Sequence, residues 1–320
     1  MGRQTRGIMT SSSTGNDRLD FPALFSPHLE GQSQPWSATH MGLGYQGEVI
    51  VAPRWDDEWG KALTDNRYFR IVLLTSRQRS HTWTLRDARI VVCNPAQDVL
   101  HQRQSLDREL RSIAEARGLY TTRRQVDSTA LRSSLEQREG ELRGEFLQSC
   151  SLSYASRQIR NTASMDLDAS HIFRSSDPSR WFQELAETVL ARTYPTLPIE
   201  QGSFTRPLLE EDLAALFDGL AAGASQPWNQ EAILRFAVGL GLAPKGSPST
   251  FDPRDCTVFG LIRQELEHQR HRIPMPGLAQ LLGHSHGLPL PLVGLFLLAF
   301  VKYAQPEVEL DLASEHPLLT

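Results

Sequence analysis

The most apolar stretch of the chain runs from Gly287 to Leu312, GLPLPLVGLFLLAFVKYAQPEVELDL. From Leu288 to Val301 no residue is charged, and Lys302 ends the run. Crossing a bilayer takes about 20 apolar residues, so this length predicts a buried core helix and not a membrane span. Pro289 and Pro291 suit a first helical turn, where a missing N–H costs little. Leu292, Val293, Leu295, Phe296, Leu297, Leu298, Phe300 and Val301 are apolar all round, the mark of a core helix. Pro306 closes it, and Val308-Glu-Leu-Asp-Leu312 then alternates as a half-buried strand does.

Upstream, residues 175–305 carry repeated helix-start signals. Asp177-Pro178, Pro207, Pro227 and Asp252-Pro253 each precede apolar residues at helical spacing. Leu278, Leu281 and Leu282 predict a short helix before the long apolar one. Helix, short helix, helix and strand is the order of a winged-helix-like unit at 251–320. Toward the N-terminus the pattern changes. Glu48–Ala52, Phe69–Thr75 and Arg89–Cys93 are nearly continuous β-branched runs, which predict strands buried on both faces. Asp56–Leu63 predicts a connecting helix. From His101 to Gly144 the leucines return to helical spacing, with a break at Gly118 and Thr121-Thr122, so an antiparallel helical pair or coiled-coil-like arm is expected. Residues 1–45 are Ser-, Gly- and Pro-rich and predict a disordered leader.

The fold expected is therefore mainly α, with a small α/β N-terminal remnant and a helical array. Its divisions are a leader (1–45), an α/β unit (46–100), an Arg-rich arm (101–160), a helical domain (161–250) and the winged-helix-like end (251–320). At 320 residues, about two cores are expected. A net charge of -4 excludes a global basic field for nucleic acid. Cys93, Cys150 and Cys256 are few and far apart, which points to a reducing cytoplasm, with neither a disulfide framework nor a zinc site. No apolar segment follows Arg3 and Arg6, so a signal peptide is not expected.

Candidate chemistry is sparse. Gly241-Leu-Ala-Pro-Lys-Gly246-Ser247 matches the spacing of a phosphate loop, but Pro244 removes a donor and no lysine follows the second glycine. A helix ended by glycine is the simpler reading. His268, His271, His284 and His286 lie close in sequence without the arrangement a zinc site needs. No G-x-S-x-G is present, and no cysteine has a histidine beside it. Paired acids such as Asp56-Asp57 and Glu210-Glu211 suit helix starts. The arm holds nine arginines against seven acidic residues between His101 and Gly144. That mixture reads first as a solvated face with i,i+4 pairs. The alternative is nucleic-acid contact through Arg103, Arg111, Arg123 and Arg124. Thr75, Arg77 and Arg79 follow a strand, where polar side chains can meet a ligand beyond the sheet edge.

From about Arg67 onward the chain resembles the C-terminal half of large bacterial P-loop ATPases of phage defence, the bacteriophage-exclusion and phage-growth-limitation ATPases. The resemblance rests on FRIVLLT (69–75), the Arg-rich arm, ARTYPTLPIEQGSFTRPLLEEDLAALFDGL (191–220), FAVGLGLAP (236–244), FDPRDCTVFGLIRQEL (251–266) and GLPLPLVGLFLLAFVK (287–302). It covers about three quarters of the chain and leaves out the nucleotide-binding half. It implies a cytoplasmic, non-catalytic accessory or truncated fragment that binds a protein partner, an ATPase or other defence subunit, or DNA. No cofactor would be bound by the chain alone. ATP and Mg would come only with a partner chain, and Thr75, Arg77 and Arg79 would then be nucleotide-sensing. Two other readings stand beside it: an enzyme whose site is assembled in space, and a winged-helix DNA binder. Against the last, Leu292–Val301 has nothing to hydrogen-bond a base edge.

Overall fold

The computed structural model describes residues 24–25, 29–63, 67–79, 83–122, 128–157, 159–161, 169–175, 177–200, 204, 206–221, 231–248, 250–269, 273–305, 308, 310–311 and 318–319. The chain is mainly helical, with a small mixed sheet of five strands at its N-terminal end. The strands are β1 (Ser33–His40), β2 (Leu43–Ala52), β3 (Arg70–Leu74), β4 (Ile90–Cys93) and β5 (Ile159–Asn161), in spatial order β1-β2-β3-β4-β5. β2, β3 and β4 run parallel, while β1 and β5 are antiparallel edges.

The leader expected over residues 1–45 is corrected here, because β1 lies inside it and pairs with β2 along its whole length. Pro35 hid this strand, since proline removes a ladder donor, yet an edge strand tolerates that loss. Met41 (φ 50°) and Gly42 (φ 77°) join the two strands with both φ values positive, as a two-residue type I′ hairpin turn requires. Residues 1–23 lie outside the described residues.

The parallel strands are buried on both faces, as their composition implies. Val49, Val51, Ile71, Leu73, Val91 and Cys93 point into the main core. Ile50, Val72, Leu74 and Val92 point the other way, into a small second cluster. Among the described residues that second face is shielded by Trp55, Trp59, Trp83 and Leu85, which come from the β2–β3 and β3–β4 connections. The helix expected over Asp56–Leu63 is a single 3₁₀ turn, Asp57–Gly60, capped by Asp56 accepting from the Glu58 N–H.

Among the described residues nine helices are seen, and the first two make the arm: α1 (Leu100–Thr122) and α2 (Ser128–Ala155). The break expected at Gly118 does not occur. A Cβ there would meet nothing, so α1 continues to Thr122 at only the ordinary cost of a helical glycine. Leu106, Ile113, Leu142 and Phe146 bury the seam between them. Next come α3 (Ala169–Ile172), α4 (Pro178–Thr193), α5 (Glu210–Ala221), α6 (Glu231–Phe236) and α7 (Thr257–His268). Asp177 caps α4 by accepting from the Ser179 N–H. Asp252, by contrast, pairs with Arg254, and α7 starts later, after Cys256. The start signal at Pro227 lies outside the described residues.

The C-terminal elements are β6 (Ile273–Pro274), α8 (Met275–Gln280), a π-turn (Leu281–Ser285), α9 (Leu290–Ala304), β7 (Leu310–Asp311) and β8 (Leu318–Leu319). The three short strands form an antiparallel sheet in the order β6-β8-β7. α9 is the expected buried helix: Leu292, Val293, Leu295, Phe296, Ala299 and Phe300 are almost wholly inaccessible. One continuous apolar core links Phe25 to Phe300, so the α/β unit and the helical array share a core. Among the described residues no helix is long and apolar enough to cross a membrane.

Candidate functional site

Three tyrosines gather where the sheet meets the C-terminal elements. Tyr45, on β2, donates to the Gly287 carbonyl at 2.9 Å. Tyr68, just before β3, donates to the Leu288 carbonyl at 2.8 Å. The Tyr194 ring, just after α4, lies against Gly287 itself. Burial raises the hydroxyl pKa of all three; at Tyr45 and Tyr68 the neighbouring phenols push the same way, and at Tyr194 the Arg89 charge opposes. Tyr45 and Tyr68 thus stay neutral donors across the physiological range.

Arg89, the residue before β4, is the charged centre of this region. It is 9% exposed and makes a forked pair with Asp87, through Nε at 3.0 Å and a terminal nitrogen at 2.7 Å. Its other donors reach the carbonyls of Leu63 (2.9 Å) and Arg67 (3.3 Å) and Nδ1 of His284 (2.8 Å). Arginine carries only donors, so Nδ1 accepts and the imidazole proton sits on Nε2. His284 comes from the π-turn, a distortion that often re-aims side chains at functional sites, and its ring stacks on Tyr68 at 6.2 Å. Burial disfavours charge on Asp87, but hydrogen bonds from Arg89 and the Leu63 N–H outweigh it and hold its carboxyl low.

Two cavities flank Tyr68 and Leu290. One, of about 570 Å³, is mixed, with Arg89, Gln280 and His284 set among Leu63, Pro276 and Leu290. The other, of about 530 Å³, lies between β2, α5 and the start of α9. Its walls are Leu43, Leu208, Leu213, Phe217, Leu290 and Leu292, with Gln46 and Glu210 as the polar rim. Leu290 is 38% exposed, and Leu298, two turns further along α9, is 40% exposed. The arrangement offers an apolar groove beside a polar knot whose charges are already matched.

The residues singled out by sequence lie elsewhere. Thr75, Arg77 and Arg79 sit at the opposite, carboxyl end of the parallel strands. Thr75 is buried, its backbone tied to Ala52 and Val99, and its hydroxyl has no hydrogen-bond partner among the described residues. Arg77 and Arg79 are exposed. The loop that carries them is closed by a reciprocal pair: Gln78 N–H donates to Asn94 Oδ1 at 3.0 Å, and Asn94 Nδ2 donates to Gln78 O at 2.7 Å. Gln78, Asn94 and Asp98, which accepts from the Arg77 N–H, organise this edge. None had a signal in the sequence, because each acts across a gap of sixteen or more residues. In the arm, Arg103 is buried and paired with Asp107 at 2.7 Å, so it faces inward, whereas Arg111 is exposed. Arg123 and Arg124 lie outside the described residues.

The cysteines are poor nucleophiles. Burial pushes the Cys93 and Cys150 thiols far up, and Cys256 to about 11 despite helix-start N–H groups and Arg263 pulling it down. Among the described residues no cluster of His, Cys, Asp or Glu could hold a metal ion. No family model matches the chain, and neither a curated protein nor a solved structure matches it.

Proposed function

We propose that the chain is a non-catalytic accessory component of a cytoplasmic phage-defence ATPase assembly, acting by binding a protein partner in the groove between α5 and α9. The observation that carries this is the groove itself: an apolar wall that includes the exposed Leu290, with Leu298 also exposed further along α9, beside the Arg89–Asp87 pair. An enzyme would need titratable groups free to exchange protons. Here Arg89, Asp87 and His284 spend their capacity on one another and on backbone. In this reading ATP and Mg belong to the partner, and Arg77 and Arg79, exposed at the carboxyl edge of the sheet, are the residues that would meet its nucleotide.

The test is reconstitution. The purified chain is mixed with the nucleotide-binding core of a phage-defence ATPase of the kind it resembles, and complex formation and ATP turnover are measured. The expected result is a stable complex with no hydrolysis by the chain alone. Leu290→Glu, at an exposed position, should weaken the complex at least tenfold, because it places a charge where an apolar contact forms. Hydrolysis by the isolated chain, or a complex indifferent to Leu290→Glu, would overturn the proposal.

A second reading is favoured by one observation. The order helix, strand, helix, helix and two strands, with the short strands paired β6-β8-β7, supports a winged-helix-like unit. As a DNA binder it would lean on phosphate contacts, because the solvent strip of α9 (Leu290, Pro291, Leu298) has no donor for a base edge, and Lys302 donates to the Leu220 carbonyl. Duplex affinity should then fall steeply and linearly with the logarithm of salt. Affinity that is absent or flat in salt removes this reading.

A further inference from the structure

The second face of the sheet is covered by tryptophans, and two of them do more than shield it. Trp55 and Trp59 meet nearly at right angles, 85° with ring centroids 6.1 Å apart. Together with Glu30, Arg54, Asp56 and Asp57 they line an open cavity of about 510 Å³ at the carboxyl end of β2. The aromatic corner is rigidly built. The Trp55 indole N–H donates to Asp57 Oδ1 at 2.9 Å, and its backbone N–H donates to Gln78 Oε1 at 3.2 Å. The Trp59 N–H donates to the Asp56 carbonyl, and its own carbonyl accepts from Arg70 at 2.6 Å. Gly60 packs so tightly under Trp55 that a Cβ there would lie 2.0 Å from the Thr84 carbonyl oxygen.

Shielding alone does not account for this corner. Trp83 and Leu85 also pack on these aliphatic residues, the Trp83 ring tilted at 30° to Trp55 with centroids 6.0 Å apart. Both corner tryptophans remain half-exposed, and three carboxylates against one guanidinium share their cavity. An indole face is electron-rich and attracts a cation, most strongly one that is weakly hydrated. Two such faces set at a right angle, with carboxylates at the rim, select a soft, bulky cation over a strongly hydrated metal ion.

We propose that the Trp55–Trp59 corner binds a methylated ammonium cation, of the kind carried by choline or by a trimethylated lysine side chain. The site is separate from the α5–α9 groove and does not depend on the function proposed above. The test uses the full chain and the indole N–H resonances of its tryptophans, titrated with choline chloride against sodium chloride at matched ionic strength. Saturable shifts of the Trp55 and Trp59 signals in the millimolar range are expected. Choline's neutral isostere, 3,3-dimethyl-1-butanol, should bind at least threefold more weakly, because it has the same shape without the charge. Glu30→Gln, an exposed substitution, should weaken choline about threefold, the effect of one unit charge at a water-exposed site. Trp55→Leu should abolish binding. If that variant fails to fold, the isostere and Glu30→Gln still decide. Equal binding of the isostere, no change in Glu30→Gln, or shifts no larger than sodium chloride produces would each overturn the proposal.

Discussion

Gly287 occupies a position that admits no side chain. Its φ is +74°, and a Cβ would come within 2.4 Å of the Tyr194 ring. Its carbonyl accepts from Tyr45, and the next carbonyl accepts from Tyr68. Gly287→Ala therefore combines left-handed strain with overpacking and should cost about 2–4 kcal/mol in urea denaturation. A loss below about 0.5 kcal/mol would mean that the tyrosine cluster rearranges freely. Arg89 gives a second residue-scale prediction. The Asp87 side chain is 8% exposed, so Arg89→Met leaves a nearly buried carboxylate without its fork and should cost about 3–5 kcal/mol. Arg89→Lys should recover only part of that, because one ammonium cannot reach Asp87, two carbonyls and His284 together. By contrast, Arg132, paired with Glu136 on the exposed surface of the arm (78% and 55%), should tolerate alanine with a change under about 0.5 kcal/mol.

At the scale of elements, α9 is the strongest case for reading a core from the chain. Phe296 is fully buried and α9 packs on α5 and α7, so Phe296→Asp would bury an unpaired charge. The expected outcome is loss of cooperative unfolding of the C-terminal elements; a variant as stable as the parent would contradict the packing described. The β2, β3 and β4 runs were equally legible, since strands buried on both faces leave no polar alternation to confuse the pattern. β1 was not, because Pro35 and a serine- and glycine-rich context imitate a leader. β5 escaped notice because three residues carry no periodicity. The arm was foreseen, but Gly118 suggested a break that the helix does not need. The polar knot was illegible for a different reason. Tyr68, Arg89 and His284 come from three separate segments, and the bond between Arg89 and His284 spans 195 positions. No local spacing announces such a contact. Thr75, Arg77 and Arg79 stood out because they follow a strand, yet Gln78 and Asn94 close that edge.

At the scale of the whole molecule, acid stability follows from groups that the shared core holds in one protonation state. His40 ends β1 where the strand meets α4, clamped by Gln183, which exchanges hydrogen bonds with both backbone groups of Thr39 at 3.0 and 2.6 Å. His40 is 4% exposed, and burial lowers its pKa below the ordinary 6.5, only partly offset by the Glu187 charge and the Tyr194 backbone. The folded protein thus resists a proton that the unfolded chain accepts. The unfolded state binds more protons below pH 6.5, so stability rises with pH in that window and falls as pH drops through it. Asp87 and Asp212 act lower. For each, burial raises the carboxyl pKa but arginine hydrogen bonds prevail and lower it, so the stability they give is present above the unfolded value of 3.8 and lost below it. Two descents are therefore expected in a plot of unfolding free energy against pH, one beginning near 6.5 and one beginning near 3.8. His40→Gln should flatten the upper descent by up to about 1.4 kcal/mol per pH unit, one proton's worth, while leaving the lower descent in place. Urea midpoints of parent and variant at half-unit intervals from pH 8 to 3 measure both. Identical slopes between pH 6.5 and 5 would show that His40 is protonated as readily in the folded chain as in the unfolded one, and that the β1–α4 contact does not exclude charge.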